Sequence, residues 1–372
     1  MSAPVSLPRW ADVALVPAVS VAAAFLVAGI VVLFIGEDPL TVTRVLIFGS
    51  LGTGESLGFT LFYATNFIFT GLAVAVAFHA GLFNIGGEGQ AMLGGIGLAL
   101  AVLFLPLPGF LVIPIGVLAA AAFGALWAVV PGYLQAYRGS HIVITTIMFN
   151  WLAAILSVYL LVNHLRPPGS MSPETVLFPR EAWLPSMHEI GALFGLSLPR
   201  SQLNASLFIA LISAFLVWLL IFRSRLGYAI RTVGANPTAA VYAGISPQRV
   251  TVVAMAISGA LAAGLAVNEL MGFHNRLILE FTSGYGFVGI AVALMGRGHP
   301  VGIILASLLF GMLYQGGAEL AFEVPAITRD MIVVIGGVLI LFAGALDGLF
   351  KRIVRAGFLL GARVGAPQTK EA

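Results

Sequence analysis

Long apolar runs separated by short polar breaks dominate this chain. In order they cover residues 12–35, 58–79, 86–105, 110–131, 142–163, 204–222, 250–272, 281–296, 300–319 and 330–350. Most approach the roughly twenty residues that a helix needs to cross the hydrocarbon core of a bilayer. They are continuous rather than alternating, so the short strands of a membrane barrel do not account for them. The pattern predicts an all-α polytopic membrane protein with about ten transmembrane helices. The first run is too long for a signal-peptide core, and Gly36-Glu37-Asp38-Pro39 follows it in place of a small-residue cleavage site, so it reads as a retained helix.

Two of the breaks are long. The external one, about 164–203, holds Pro167, Pro168, Pro173, Pro179, Pro185 and Pro199, a composition that favours extended and turn-rich chain over helix. It is either a docking surface or a passive connection. The internal one, about 223–249, contains a miniature helix with legible ends. Asn236 suits the N-cap, Pro237 the first helical position, Ala239, Ala240 and Ala243 the body, and Gly244 the stop. So short a helix is marginal in water and is expected to pack on something, either this chain or a partner.

The 372 residues are 60% hydrophobic and 9% charged, which excludes a soluble protein. Cys is absent, removing disulfides and thiolate metal sites. The two lysines, Lys351 and Lys370, do not follow glycine as a P-loop requires, and no Gly-x-Ser-x-Gly or His-Glu-x-x-His pattern occurs. No catalytic residue, metal or cofactor is therefore expected on this chain. With the N-terminus placed in the cytoplasm, 12 of the 18 basic residues fall on that side and 6 on the other, which predicts N-in and C-in.

Polar groups inside apolar runs are costly and mark function. The glycine-dense stretch 81–97 carries Asn84, Glu88 and Gln90, and other runs add Asn66, Thr145, Thr146 and Asn150. These seven either line a solute path or hold helices together by hydrogen bonds. Glu88 reads as a structural or gating residue, able to reach water or to cap the backbone amides that follow it near a helix start. Asn268, Glu269, His274 and Arg276 fall round the outer end of the seventh run, where they either meet a docking protein or face solvent, and solvation is the expectation. His141 reads as an interfacial residue at a helix end.

Four patches carry a family resemblance: Gly81-Leu-Phe-Asn84-Ile-Gly-Gly-Glu88-Gly-Gln90, Ile144-Thr145-Thr146-Ile-Met-Phe-Asn150-Trp151, Gly169-Ser-Met-Ser-Pro173, and Gly234-Ala-Asn236-Pro237-Thr-Ala-Ala240-Val-Tyr-Ala-Gly244-Ile. In this order they resemble the permease subunits of bacterial ATP-binding-cassette importers of the branched-chain amino acid, ribose and nucleoside type, with the nucleoside or simple-sugar branch the nearest. The resemblance implies a single permease domain over 1–372 in the bacterial inner membrane, moving nucleosides or a related solute by alternating access. It implies an inverted repeat of helices two to five and seven to ten, with which the parity of the topology agrees. It makes 236–243 the coupling helix. Arg225, Arg231, Gly234, Ala235, Asn236, Pro237, Ala239, Ala240, Ala243 and Gly244 then meet a separate ATPase subunit, which carries ATP and Mg. The other implied partners are two fused cassettes on that ATPase, a second, different permease and an extracytoplasmic substrate-binding lipoprotein. One position departs from the family pattern: Ile142 stands where members usually carry an acidic residue. The competing class is an ATP-independent secondary transporter, which would normally need an intramembrane coupling group; Glu269 and Glu319 fall near run ends, leaving few candidates besides Glu88.

Overall fold

The computed structural model describes residues 15–106 and 108–324, with isolated positions at 8, 11, 334, 337, 341, 351, 352 and 354–356. The tenth expected span, 330–350, lies outside the described residues except at three of those positions. The chain forms two compact units, Met1–Ile47 with Gly317–Ala372, and Phe48–Gly316.

In the first unit, helix α1 (Val16–Ile35) stops at Gly36, whose φ of 94° is left-handed. Asp38 then opens α2 (Pro39–Leu51): its carboxylate accepts the Thr41 N–H and hydroxyl at 2.9 and 2.7 Å. This cap makes a helix of residues that the apolar pattern left between the first two spans.

The second unit is built from α3 (Gly54–His79), α4 (Gly87–Phe104), α5 (Gly109–Arg138) and α6 (Ile142–Leu160, extended by a π turn, Leu161–Leu165). After the external segment with α7 (Met187–Leu193) come α8 (Ser206–Trp218, extended by a π turn, Leu219–Arg223), α9 (Arg225–Ala235) and α10 (Pro237–Tyr242). Next, α11 (Pro247–Ala262) runs through the single turn α12 (Gly264–Ala266) into a π-helical stretch, Val267–His274, and α13 (Tyr285–Met295) follows. Helix α14 (Pro300–Glu323) begins in this unit.

Among the described residues, 8 helices are long and apolar enough to cross a membrane. Helix α13, expected as a full span over 281–296, has only 11 residues, about 16 Å, and falls short of one. The chain before it is a turn instead of helix.

Helix α3 is buried along most of its length, with α8, α11 and α13 packed around it. Helices α5 and α11 share the most extensive contact among the described helices. A Cβ on Gly259 would collide with the Gly124 carbonyl, so hydrogen at both positions is what lets the backbones touch. Large apolar side chains such as Ile144, Leu152, Ile155, Phe208 and Phe215 stay exposed on α6 and α8, as a lipid-facing or subunit-facing surface requires.

The external segment is packed chain. Thr175 N–H donates to the Leu277 carbonyl at 3.0 Å, Phe178 N–H to Asn275 at 2.8 Å, and Leu184 N–H to Met271 at 2.9 Å. Phe178, Ala182, Leu184 and Leu203 are buried beneath it. Against its proline content, it also holds a helix: α7 has a complete capping box between Ser186 and Glu189.

Candidate functional site

Helix α3 ends at His79, yet α4 does not begin at the same level. The chain turns at Gly81 (φ 74°) and re-enters the bundle, where Asn84 donates to the Ser258 hydroxyl of α11 at 2.8 Å. Ser258 in turn donates to the Ala73 carbonyl at 2.6 Å. Ala73 lies six residues before the end of α3, about 9 Å along its axis. Helix α4 thus starts inside the bundle, and irregular backbone at such depth must find partners within the protein. Asn84 supplies several. Its Oδ1 accepts the Gly86 N–H at 2.8 Å and the Gln90 amide at 3.1 Å, and its Nδ2 reaches Gln90 Oε1 at 3.0 Å. Asn150 of α6 closes the other side, donating to the Ile85 carbonyl at 2.9 Å and accepting the Gly89 N–H at 2.9 Å.

Glu88, in the first turn of α4, is 6% exposed. Its carboxylate accepts the N–H groups of Gly284 and Gly286 at 2.9 and 2.8 Å, at the start of α13. A negative group on the unsatisfied donors of a helix N-terminus is favourable in charge and in hydrogen bonding. A Cβ on Gly286 would stand 2.7 Å from Glu88 Oε2, so only glycine leaves room for the carboxylate. Two broken helices, α4 and α13, therefore meet start to start through one carboxylate.

A second buried cluster joins α3, α8 and the π-helical end of α11. Asn66 donates to Glu269 at 2.5 Å and accepts from Asn268 at 2.8 Å; Asn268 accepts from Asn204 at 3.0 Å and from the Ser206 hydroxyl at 2.6 Å. His274 stands 3.6 Å from Glu269. The expectation that Asn268 and Glu269 face solvent is corrected: both are buried, because the helix continues as a π stretch to His274 and turns these two neighbours inward. Arg276 lies outside that cluster, paired with Glu174 at 2.6 Å. Asn204, Ser206 and Ser258 also belong to these networks and were not singled out from sequence. The adjacent Asn268-Glu269 inside an apolar run was the available signal.

Thr145 and Thr146 bond back to the Ile142 carbonyl at 3.0 and 2.8 Å. The polar groups of Asn66, Asn84, Gln90, Thr145, Thr146 and Asn150 are thus all engaged by protein. Ile142 is buried, and Gln135 Oε1 accepts its N–H at 2.7 Å, so a glutamine of α5 tends the start of α6. His141 is exposed at that start and makes no side-chain cap. A cavity of about 340 Å³ opens between α4, α6 and the turn before α13, lined by Glu88, Trp151, Glu280, Thr282, Ser283 and Phe287 among others. Among the described residues, no group of three or more His, Asp or Glu could hold a metal ion.

The internal segment holds two helices where one was expected. Ser224 caps α9 by accepting the Gly227 N–H at 2.9 Å. Asn236 ends α9 and caps α10, its Oδ1 accepting from Thr238 and Ala239 at 2.9 and 3.1 Å, with Pro237 in the first turn and Gly244 at φ 74° beyond the end. Gly234 packs on the Gly81 turn, and Arg231 donates to the Ile221 carbonyl at 2.5 Å. Ala240 is fully buried, whereas Arg225, Ala235, Ala239, Val241, Tyr242 and Ala243 are exposed, Tyr242 to 90%.

Residues 56–344 match the family described as branched-chain amino acid transport system / permease component. The chain is 34% identical to the nucleoside ABC transporter permease protein NupB of Lactococcus lactis, over 85% of each chain. It is 33% identical to the guanosine ABC transporter permease protein NupP of Bacillus subtilis, over 86% of this chain and 91% of the other. Against the glucose ABC transporter permease protein TsgB13 of Haloferax volcanii the identity is 32%, over 88% and 86%. A match across most of the chain, including both broken helices and the capped internal segment, makes this protein a member of the branched-chain amino acid transport system permease family.

Proposed function

We propose that this chain is the transmembrane permease subunit of an ATP-driven importer that moves nucleosides, or a related small polar solute such as a simple sugar, by alternating access. The observation that carries this reading is identity of about one third, over most of both chains, to permeases named for nucleosides, guanosine and glucose. ATP hydrolysis belongs to a separate subunit.

In finer detail, the whole of 1–372 works as one permease domain in the bacterial inner membrane, with both termini in the cytoplasm. An inverted repeat relates helices two to five of the hydropathy pattern to seven to ten. Support comes from the broken helices: α4 and α13 are each the second element of their half, and they meet start to start at Glu88. The first elements, α3 and α11, likewise exchange a hydrogen bond through Asn66 and Asn268. The segment from Arg225 and Arg231 through Gly234, Ala235, Asn236, Pro237, Ala239, Ala240, Ala243 and Gly244 docks into an ATPase with two fused cassettes. Val241 and Tyr242 offer that partner exposed apolar surface on a capped helix. A second, different permease completes the pore and a substrate-binding lipoprotein delivers the solute. Asn66, Asn84, Glu88, Gln90, Thr145, Thr146 and Asn150 shape the translocation path, chiefly by holding its broken helices, with Glu88 in the gate.

The test is affinity purification of the tagged chain from native membranes, beside a V241D/Y242D variant, followed by uptake assays in proteoliposomes. These positions are exposed, whereas Ala240 is buried and its substitution would disturb the helix itself. Recovery of a cassette ATPase and a second permease, loss of the ATPase in the variant, and ATP-dependent uptake of guanosine, uridine or glucose are expected. Solute uptake by the chain alone, without ATP, overturns the reading in favour of a secondary transporter.

A further inference from the structure

The cavity beside α6 has chemistry that the amide clusters lack. Every amide oxygen and nitrogen near Glu88 is engaged by protein, so those groups have little left to offer a solute. The cavity wall differs. Trp151 is 66% exposed and Phe287 47%, which leaves two aromatic faces open. Glu280 is exposed and its carboxylate is bonded by no described residue. Ser283 is exposed and donates to the Glu280 carbonyl at 3.3 Å. Thr282 buries a hydroxyl that no described residue satisfies. Glu280 and Ser283 also hold left-handed backbone, at φ 56° and 44°, beside Gly284 at 79°. Two non-glycine residues in that region cost free energy that a plain connector would avoid, and such positions cluster at ligand clamps. The volume of about 340 Å³ falls within the range of small-molecule sites.

Resting on the nucleoside reading above, we propose that this cavity is where a nucleoside pauses in transit, its base against Trp151 and Phe287 and its ribose hydroxyls toward Glu280 and Ser283. Stacking suits every base, because each has a π face, so the wall accepts purines and pyrimidines alike. A carboxylate accepts hydrogen bonds from hydroxyls and repels phosphate, so the site takes nucleosides and rejects nucleotides. A hexose has no aromatic face to place on the wall and gains less there.

The experiment uses the complete importer in proteoliposomes, photolabelled with 8-azidoguanosine and mapped by mass spectrometry, beside W151A, W151F and E280Q. Labelling of Trp151 or of the 280–287 segment is expected, displaced by excess guanosine or uridine and not by glucose or guanosine monophosphate. W151A is expected to lower labelling and guanosine uptake about tenfold, W151F to retain most of both, and E280Q to let guanosine monophosphate compete. Unchanged guanosine uptake in W151A, or a label elsewhere, overturns the proposal and leaves the importer reading standing. Loss of the second permease from W151A also overturns it, since the wall is then a subunit contact. Uptake of glucose and of no nucleoside by the unaltered protein overturns this proposal and the nucleoside reading together.

Discussion

Glu88 sits in an apolar bundle, and the groups that meet its carboxylate oxygens are backbone N–H donors of Gly284 and Gly286. Its type and place within a glycine-dense stretch were legible in the sequence, which pointed to the amides following it as the ones it could cap. The helix it caps was not legible, because Gly284 lies 196 residues later and no local pattern encodes so distant a pairing. Truncation would leave one buried and one part-buried donor without a partner, at a cost of about 2 kcal/mol. E88A is therefore expected to lower the melting temperature in detergent. E88Q, which keeps one acceptor oxygen and turns an N–H₂ toward the other donor, should recover less than half of the loss. An E88A protein that melts with the unaltered one would show that the capping bonds contribute nothing. Asn268 and Glu269 make the complementary point: their types were visible, but burial depended on a π stretch that composition does not announce.

Elements with strong local signals came through well. Asn236, Pro237 and Gly244 mark the ends of α10 because capping is encoded within a few residues, and most of the described long runs became helices because length and apolarity suffice. Helices α2, α7 and α9 were missed, since each is short and mixed and owes its existence to a single cap by Asp38, Ser186 or Ser224. The cap of α7 carries its own pH dependence. The Ser186 backbone N–H donates to the Glu189 carboxylate at 2.8 Å and Arg180 stands 3.3 Å away, which together hold its carboxyl below the ordinary value of 4.5. An acid whose folded value is depressed stabilises the folded form above its ordinary value, and that contribution disappears as pH falls through the lowered one. Amide hydrogen exchange in α7 should thus be steadily protected from neutral pH down to about 4.5 and lose protection below it. E189A should show weak protection and no such step; a step that persists in E189A would assign it to another group.

At the scale of the whole molecule, hydropathy identified the class but treated every apolar run as an independent span. Helix α13 breaks that assumption. Its 11 residues cannot reach across a bilayer, so during biogenesis the insertion machinery has no reason to release it sideways into lipid as a segment of its own. It must instead be gathered in by helices already inserted, and the carboxylate waiting for it has left the ribosome 196 residues earlier. Until then Glu88 has no partner and belongs to an unfinished protein. Nascent chains arrested before Gly284 are expected to be degraded faster in cells than chains arrested after Met295, measurable by pulse-chase, and E88A should erase part of that difference. Satisfaction of the Glu88 carboxylate thus waits for a segment made 196 residues later, which ties the settling of the α4 start to the arrival of α13.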